Sequence, residues 1–158
     1  MYSRYMRKNG FTLVELLVVV SLIGVLATLV LANLTSGRSR GRDAQRKSDL
    51  RQISTALRLY YNDRGGYPAN NVSGQILGCG SLGTSACDWG SQWEVSGTTY
   101  MQTLAKDPLP DQSYKYEADS ADDSFVLSSC LENQSDDKGV TTTDTSWCPS
   151  AWAYEVRP

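Results

Sequence analysis

The chain is 158 residues long and nearly balanced in charge, with 15 Lys and Arg against 17 Asp and Glu. That length suits one folded domain plus a stem. It holds no histidine, the commonest acid–base catalyst near neutral pH and the commonest metal ligand, and no nucleophile motif, phosphate-binding loop or Cys-x-x-Cys pair, so the residues suggest no enzyme chemistry.

The first ten residues carry Arg4, Arg7 and Lys8 and no acid. Residues 11–34 follow, 24 residues with one charge, Glu15. A helix of that length spans roughly 36 Å, and a bilayer's hydrocarbon core is about 30 Å thick. The run is therefore expected to cross a membrane, with the basic leader in the cytoplasm and the rest outside. Three readings compete. A cleaved signal peptide wants an apolar region of about 7–15 residues; here the uncharged run from Leu16 to Leu34 has 19, although Val30-Leu31-Ala32 would pass as a cleavage site. A plain anchor explains the length but not Glu15, since acids inside apolar segments are costly and usually functional.

The third reading explains both. Lys8-Asn9-Gly10-Phe11-Thr12-Leu13-Val14-Glu15-Leu16 resembles the class III signal of type IV pilins and type II secretion pseudopilins. The resemblance implies that a prepilin peptidase cuts between Gly10 and Phe11 and methylates the new amine of Phe11. It also implies that Glu15 is needed for filament assembly. The fold implied is α+β: a long N-terminal helix, transmembrane in its first half, with a small antiparallel β-sheet head packed on its second half. The expected divisions are a leader over 1–10, a transmembrane and assembly helix over 11–34, an amphipathic continuation over 35–64, and a globular head over 65–158. Within the apolar helix, Gly24, Thr28 and Ala32 are spaced by four and share one face with Ser21 nearby. Small residues let helices approach closely in lipid. Many pilins carry proline where this chain has Ala32, so a helix break there is not expected.

Thr35–Gly41 contains Gly37 and Gly41, each costing a helix roughly 1 kcal/mol relative to alanine, so a bend or a frayed turn is expected. The helix then resumes. Leu50, Ile53, Leu57 and Tyr60 recur at spacings of three and four and form one apolar stripe, the seat for the head sheet. Asp43 and Lys47, four apart with the acid first, are expected to pair. Gly65-Gly66 supplies a left-handed cap and Pro68 blocks continuation, so the helix should stop near residues 62–64. The segment from Leu57 to Pro68 resembles the end of the long helix in major-type pseudopilins.

Residues 70–99 are rich in Gly, Ser, Thr and Asn and read as a long ordered loop holding Trp89 and Trp93. Thr99–Lys106 reads as a short helix stopped by Asp107-Pro108. Tyr114–Ala118 and Phe125–Leu131 alternate apolar residues and are joined by the acidic link Asp119–Asp123, so a hairpin is expected. Trp152–Val156 alternates too and reads as a third strand. Lys106-Asp107-Pro108 with the two strands is similar to the head sheet of secretion pseudopilins.

Four cysteines lie in the head, and four allow three pairings. Closeness in sequence favours Cys79 with Cys87 and Cys130 with Cys148. The second bridge would resemble the disulfide-bounded loop near the C-terminus of many pilins. Asp136, Asp137 and Asp144 lie inside it. A solvated acidic loop is the preferred reading, and no cofactor is expected. Calcium is the alternative, because the corresponding loop binds it in some pseudopilins. Charge divides along the chain: residues 38–64 hold eight basic residues and three acids, and 65–158 hold four basic residues and thirteen acids. Either the head is simply solvated, or basic stems and acidic heads of neighbouring subunits attract. The cluster Arg38, Arg40 and Arg42 reads as a solvated interfacial segment, and nucleic acid is not expected as a partner.

The resemblance thus implies a structural subunit and not an enzyme. It would wait in the cytoplasmic membrane as a single-pass protein. A platform and ATPase would then stack it into a helical homo-oligomeric filament outside that membrane or at the cell surface. A major-type pseudopilin of type II secretion is the first expectation. A type IV pilin for adhesion, motility or DNA uptake is the second, and a single-pass membrane-anchored enzyme or receptor the remote third.

Overall fold

The computed structural model describes residues 10–119, 121 and 123–158, and within that range the side chains of residues 29–35 are left out. The chain divides into two compact units, one ending at Arg38 and the other running Ser39–Pro158. The fold is α+β, with one N-terminal helix followed by antiparallel sheets.

The helix α1 runs Leu13–Arg64, 52 residues without interruption. Gly37 and Gly41 do not break it, contrary to expectation. The end is where the sequence puts it. Gly65 takes φ 76° and its N–H returns to the Tyr61 carbonyl at 2.8 Å, the left-handed closure that glycine allows. Among the described residues no helix is long and apolar enough to cross a membrane. The described side chains of the apolar run stop at Thr28, so part of the span expected over 11–34 lies outside the described residues.

In the second unit nine short strands follow among the described residues. Strands β1 (Ala69–Asn70), β2 (Ile76–Cys79) and β3 (Ser85–Ala86) form one sheet, and β4 (Trp93–Val95) and β5 (Thr98–Met101) a second. Strands β6 (Lys115–Asp119), β7 (Ser124–Cys130), β8 (Val140–Thr141) and β9 (Trp152–Val156) form a third, in the order β6-β7-β9-β8. The expected hairpin and third strand are therefore present. Two expectations fail. The stretch 70–99 holds several short strands between its turns rather than being one loop, and the helix expected over Thr99–Lys106 is absent, its first residues lying in strand Thr98–Met101. The second failure has a local cause. Ser96 (φ 51°) and Gly97 (φ 83°) make a two-residue turn with positive φ at both positions, which matches the twist of a hairpin. Thr98 and Thr99 then pair with Val95 and Glu94, as β-branched residues favour, and Met101 pairs with Trp93 after a bulge.

The core sits between the helix stripe and these sheets. Leu50, Ile53 and Leu57 are wholly buried, with Tyr60 at 9% exposure. Tyr60 packs on Trp93 and Tyr100 with ring centroids 5.7 and 5.2 Å away. The Trp93 indole donates to the Gly78 carbonyl at 2.8 Å, which ties the second sheet to the first. On the large sheet, Tyr116 stands opposite Leu127 and Leu127 opposite Val156, so one face meets the helix.

Candidate functional site

In the first unit the described apolar side chains are exposed. Phe11 is 83% exposed, and Leu13, Val14, Leu16 and Leu17 are each more than 60% exposed. A continuous apolar surface of this kind needs lipid or another protein against it. Thr12 starts the helix: its Oγ1 accepts from the Glu15 N–H at 3.2 Å and its carbonyl accepts from Leu16 N–H at 3.2 Å. Thr12 is thus the N-cap and Glu15 its third helical position, the spacing of a capping box. Glu15 is exposed and is the only charge from Phe11 to Gly37. Polar side chains further along satisfy themselves. Ser21 Oγ donates to the Val18 carbonyl and Thr28 Oγ1 to the Val25 carbonyl, both at 2.8 Å. Such back-bonding suits a setting without water. Gly24 has open space where a Cβ would stand. Gly10 and Phe11, which flank the expected cut, are both exposed, while the basic leader residues Arg4, Arg7 and Lys8 lie outside the described residues.

In the second unit a buried polar seam fixes the head to its helix. Arg46 is fully buried. It donates to both oxygens of Asp107, from Nε at 2.7 Å and from Nη2 at 2.8 Å. Its Nη1 reaches Asp43 Oδ1 and Glu132 Oε1, each at 2.8 Å. Burial alone would lower the Arg46 pKa, but the bonds and charge of Asp107, with Asp43 and Glu132, raise it above its ordinary value. Asp43 also accepts the backbone N–H groups of Glu132 and Asn133 at 3.0 and 2.9 Å. Arg42 meets Glu132 two-pronged at 2.6 Å, and this bond is the main reason the Glu132 pKa is lowered. Arg42 therefore belongs to the head, unlike the interfacial residue expected. The expected pair of Asp43 with Lys47 is also replaced: Asp43 takes Arg46, and Lys47 pairs with Asp136. Burial raises the Asp49 pKa, against the hydrogen bond it accepts from the Tyr114 hydroxyl at 2.8 Å, which lowers it.

The structure joins Cys79 to Cys87 and Cys130 to Cys148, eight and eighteen residues apart. A bridge closing the longer span contributes about 3 kcal/mol by restricting the unfolded chain. Non-reducing peptide mapping of the protein is expected to recover these two pairs. Free thiols or crossed pairs would contradict them. The candidate calcium residues are not brought together. Asp136 is held by Lys47, which lowers its pKa. Asp144 accepts from Ser146 Oγ at 2.6 Å, from Trp147 N–H at 3.2 Å and from Lys115 Nζ at 3.3 Å, and its pKa falls for those reasons in that order. Asp137 is exposed. Among the described residues no three His, Cys, Asp or Glu side chains are grouped to hold a metal.

Comparison with known proteins gives two family matches. Residues 5–31 match the prokaryotic N-terminal methylation motif, and residues 33–147 match type II secretion system protein G. The type II secretion system core protein G of Pseudomonas aeruginosa is 30% identical over 121 residues, covering 77% of this chain and 81% of that protein. The core protein G of Escherichia coli is 38% identical over 65 residues, 41% of this chain and 45% of that protein. The type IV major pilin protein PilA of Myxococcus xanthus is 33% identical over 61 residues, 39% of this chain and 28% of that protein. Against these last two relatives the chain therefore spans less than half of their length. No solved structure matches the chain.

Proposed function

We propose, since this chain belongs to the protein G family of type II secretion systems, that it is a structural subunit of the major pseudopilin type, built to polymerise and not to catalyse. The observation that carries the reading is the start of α1. An uncovered apolar helix surface begins at Phe11, is capped by Thr12, and contains the single carboxylate of Glu15. A surface without cover is what a polymer interface looks like before assembly.

On this reading a prepilin peptidase removes residues 1–10 and methylates the amine of Phe11. Residues 11–34 hold the subunit in the cytoplasmic membrane, leader side in the cytoplasm and head outside. An assembly platform with its ATPase then draws subunits into a helical filament, helices inside and heads outside. The similarity to a type IV major pilin supports a second reading, a surface pilus for adhesion, motility or DNA uptake. Calcium binding by Asp136, Asp137 and Asp144 stays a lesser part of the proposal, because Lys47 and Lys115 already neutralise two of them.

Intact-mass measurement of the protein from the membrane fraction tests the processing. The expected species begins at Phe11 and is one methyl group heavier than the unmodified chain. A species beginning at Met1, or at Asn33 after signal-peptide cleavage, would overturn the reading.

A further inference from the structure

A groove of about 410 Å³ lies in the second unit, where α1 meets the turn that follows β7. Arg40, Ala44 and Lys47 line it from the helix, and Asn133, Asp136 and Asp137 from the turn. Most of its charges are already neutralised. Asp43, also in the groove, binds Arg46, and Lys47 pairs with Asp136. Two charges remain, one of each sign. Arg40 and Asp137 are exposed, and neither side chain has a partner among the described residues. Arg40 and Ala44 are four apart and share a helix face, so the alanine methyl leaves room beside the guanidinium. The open positions therefore sum to zero and fit a ligand that joins an anion to a cation. A guanidinium takes a phosphate through parallel N–H donors, and a carboxylate takes the N–H groups of an ammonium.

The place of the groove in the chain names the source of that ligand. Arg40 comes six residues after Leu34, where the apolar run ends. Along a helix that is about 9 Å, and polar headgroups extend several Å beyond the hydrocarbon core. The long arginine stem bridges what remains. Within that reach, phosphate and ammonium occur together in the headgroup of a zwitterionic phospholipid.

We propose that this groove binds the phosphoethanolamine headgroup of a membrane lipid, with the phosphate on Arg40 and the ammonium on Asp137. The Lys47–Asp136 pair beside them is neutral as a unit and adds nothing that would favour a purely anionic lipid. The site is occupied while the subunit waits in the membrane, and moving into a filament requires the headgroup to be released. The inference rests on the membrane-held reading and adds a lipid ligand to it.

The test is native mass spectrometry of the full chain in detergent micelles holding equal amounts of phosphatidylethanolamine, phosphatidylglycerol and phosphatidylcholine. The expected result is a lipid adduct dominated by phosphatidylethanolamine, since phosphatidylglycerol lacks the cation and phosphatidylcholine lacks the N–H groups. Arg40→Gln and Asp137→Asn should each cut that adduct about tenfold. Both residues are exposed, so circular dichroism of each variant should match wild type. Equal retention of the three lipids, or an adduct indifferent to either substitution, overturns the inference. Equal binding of phosphatidylglycerol, with only Arg40→Gln having an effect, reduces the site to a plain anion contact and overturns the zwitterionic ligand. A chain found in the membrane fraction of its host yet showing no lipid preference sinks the headgroup site alone. A chain recovered from the soluble fraction sinks the membrane-held reading with it.

Discussion

Replacing Arg46 with leucine should lower the stability of the head by about 3–5 kcal/mol, the cost of removing one partner from a buried ion network. Arg46 is completely buried, and Asp43 and Asp107 are at most 5% exposed. Leucine fills part of the space but leaves both carboxylates without their cation. The damage extends past the pair. Asp107 Oδ1 also accepts Leu109 N–H at 2.9 Å, which orients the turn before β6. Asp43 receives the backbone of Glu132 and Asn133, which starts the segment after β7. Arg46 therefore ties α1 to both ends of the β6–β7 hairpin. Arg46→Lys keeps the charge but loses the planar fork, and should fall between leucine and wild type. Thermal unfolding of the full chain in detergent, followed by near-ultraviolet circular dichroism, should show a midpoint lower by roughly 10–20 °C for Arg46→Leu. Arg58→Ala, exposed and unpartnered, should change stability by less than about 0.5 kcal/mol. A drop of only a few degrees for Arg46→Leu would mean that the seam is decoration rather than a fastening.

Arg46 also marks how far the sequence could be read. Periodicity located Leu50, Ile53, Leu57 and Tyr60 because burial repeats with the helix. Counting back four residues from Leu50 lands on Arg46, so the same stripe continues one turn further than its apolar members suggest. A charged residue hides that continuation, since burial is read from apolarity. The partner of Lys47 was out of reach for another reason. Asp136 lies 89 residues away, and spacing along a helix reports only neighbours three or four positions apart. In contrast, the stop at Gly65 and the β6–β7 hairpin depend on local chemistry and were legible. The β4–β5 hairpin was equally local. Its signal, Ser96-Gly97 between Trp93-Glu-Val95 and Thr98-Thr-Tyr100, was masked by the polar composition around it. Two acids of the C-terminal loop read as calcium candidates because sequence shows carboxylates but not the lysines that meet them.

Replacing Glu15 with alanine should abolish assembly while leaving the subunit otherwise intact. If the chain is processed as proposed, the new amine of Phe11 is positive after cleavage, and methylation keeps that charge. Glu15 follows one helical turn later, and its N–H is pinned to Thr12, so the carboxylate is carried on a helix already formed at its first turn. An acid at the bilayer centre costs about 2.5–3.5 kcal/mol on insertion scales, and less near the edge. A positive partner reduces that cost. Within one subunit the partner is its own Phe11 amine. Between subunits, Glu15 can neutralise the amine of an incoming copy. The apolar residues around it, Leu13, Val14, Leu16 and Leu17, offer contact area but little to define axial offset. On the proposed reading Glu15 is thus the group that sets register. Glu15→Asp, shorter by one methylene, should assemble in part.

The measurement is electron microscopy of fibres sheared from cells, beside an immunoblot of processed subunit in the membrane. The account predicts that Glu15→Ala is inserted and cleaved at the wild-type level and yields no fibres. Fibres of normal number and form from Glu15→Ala would contradict it.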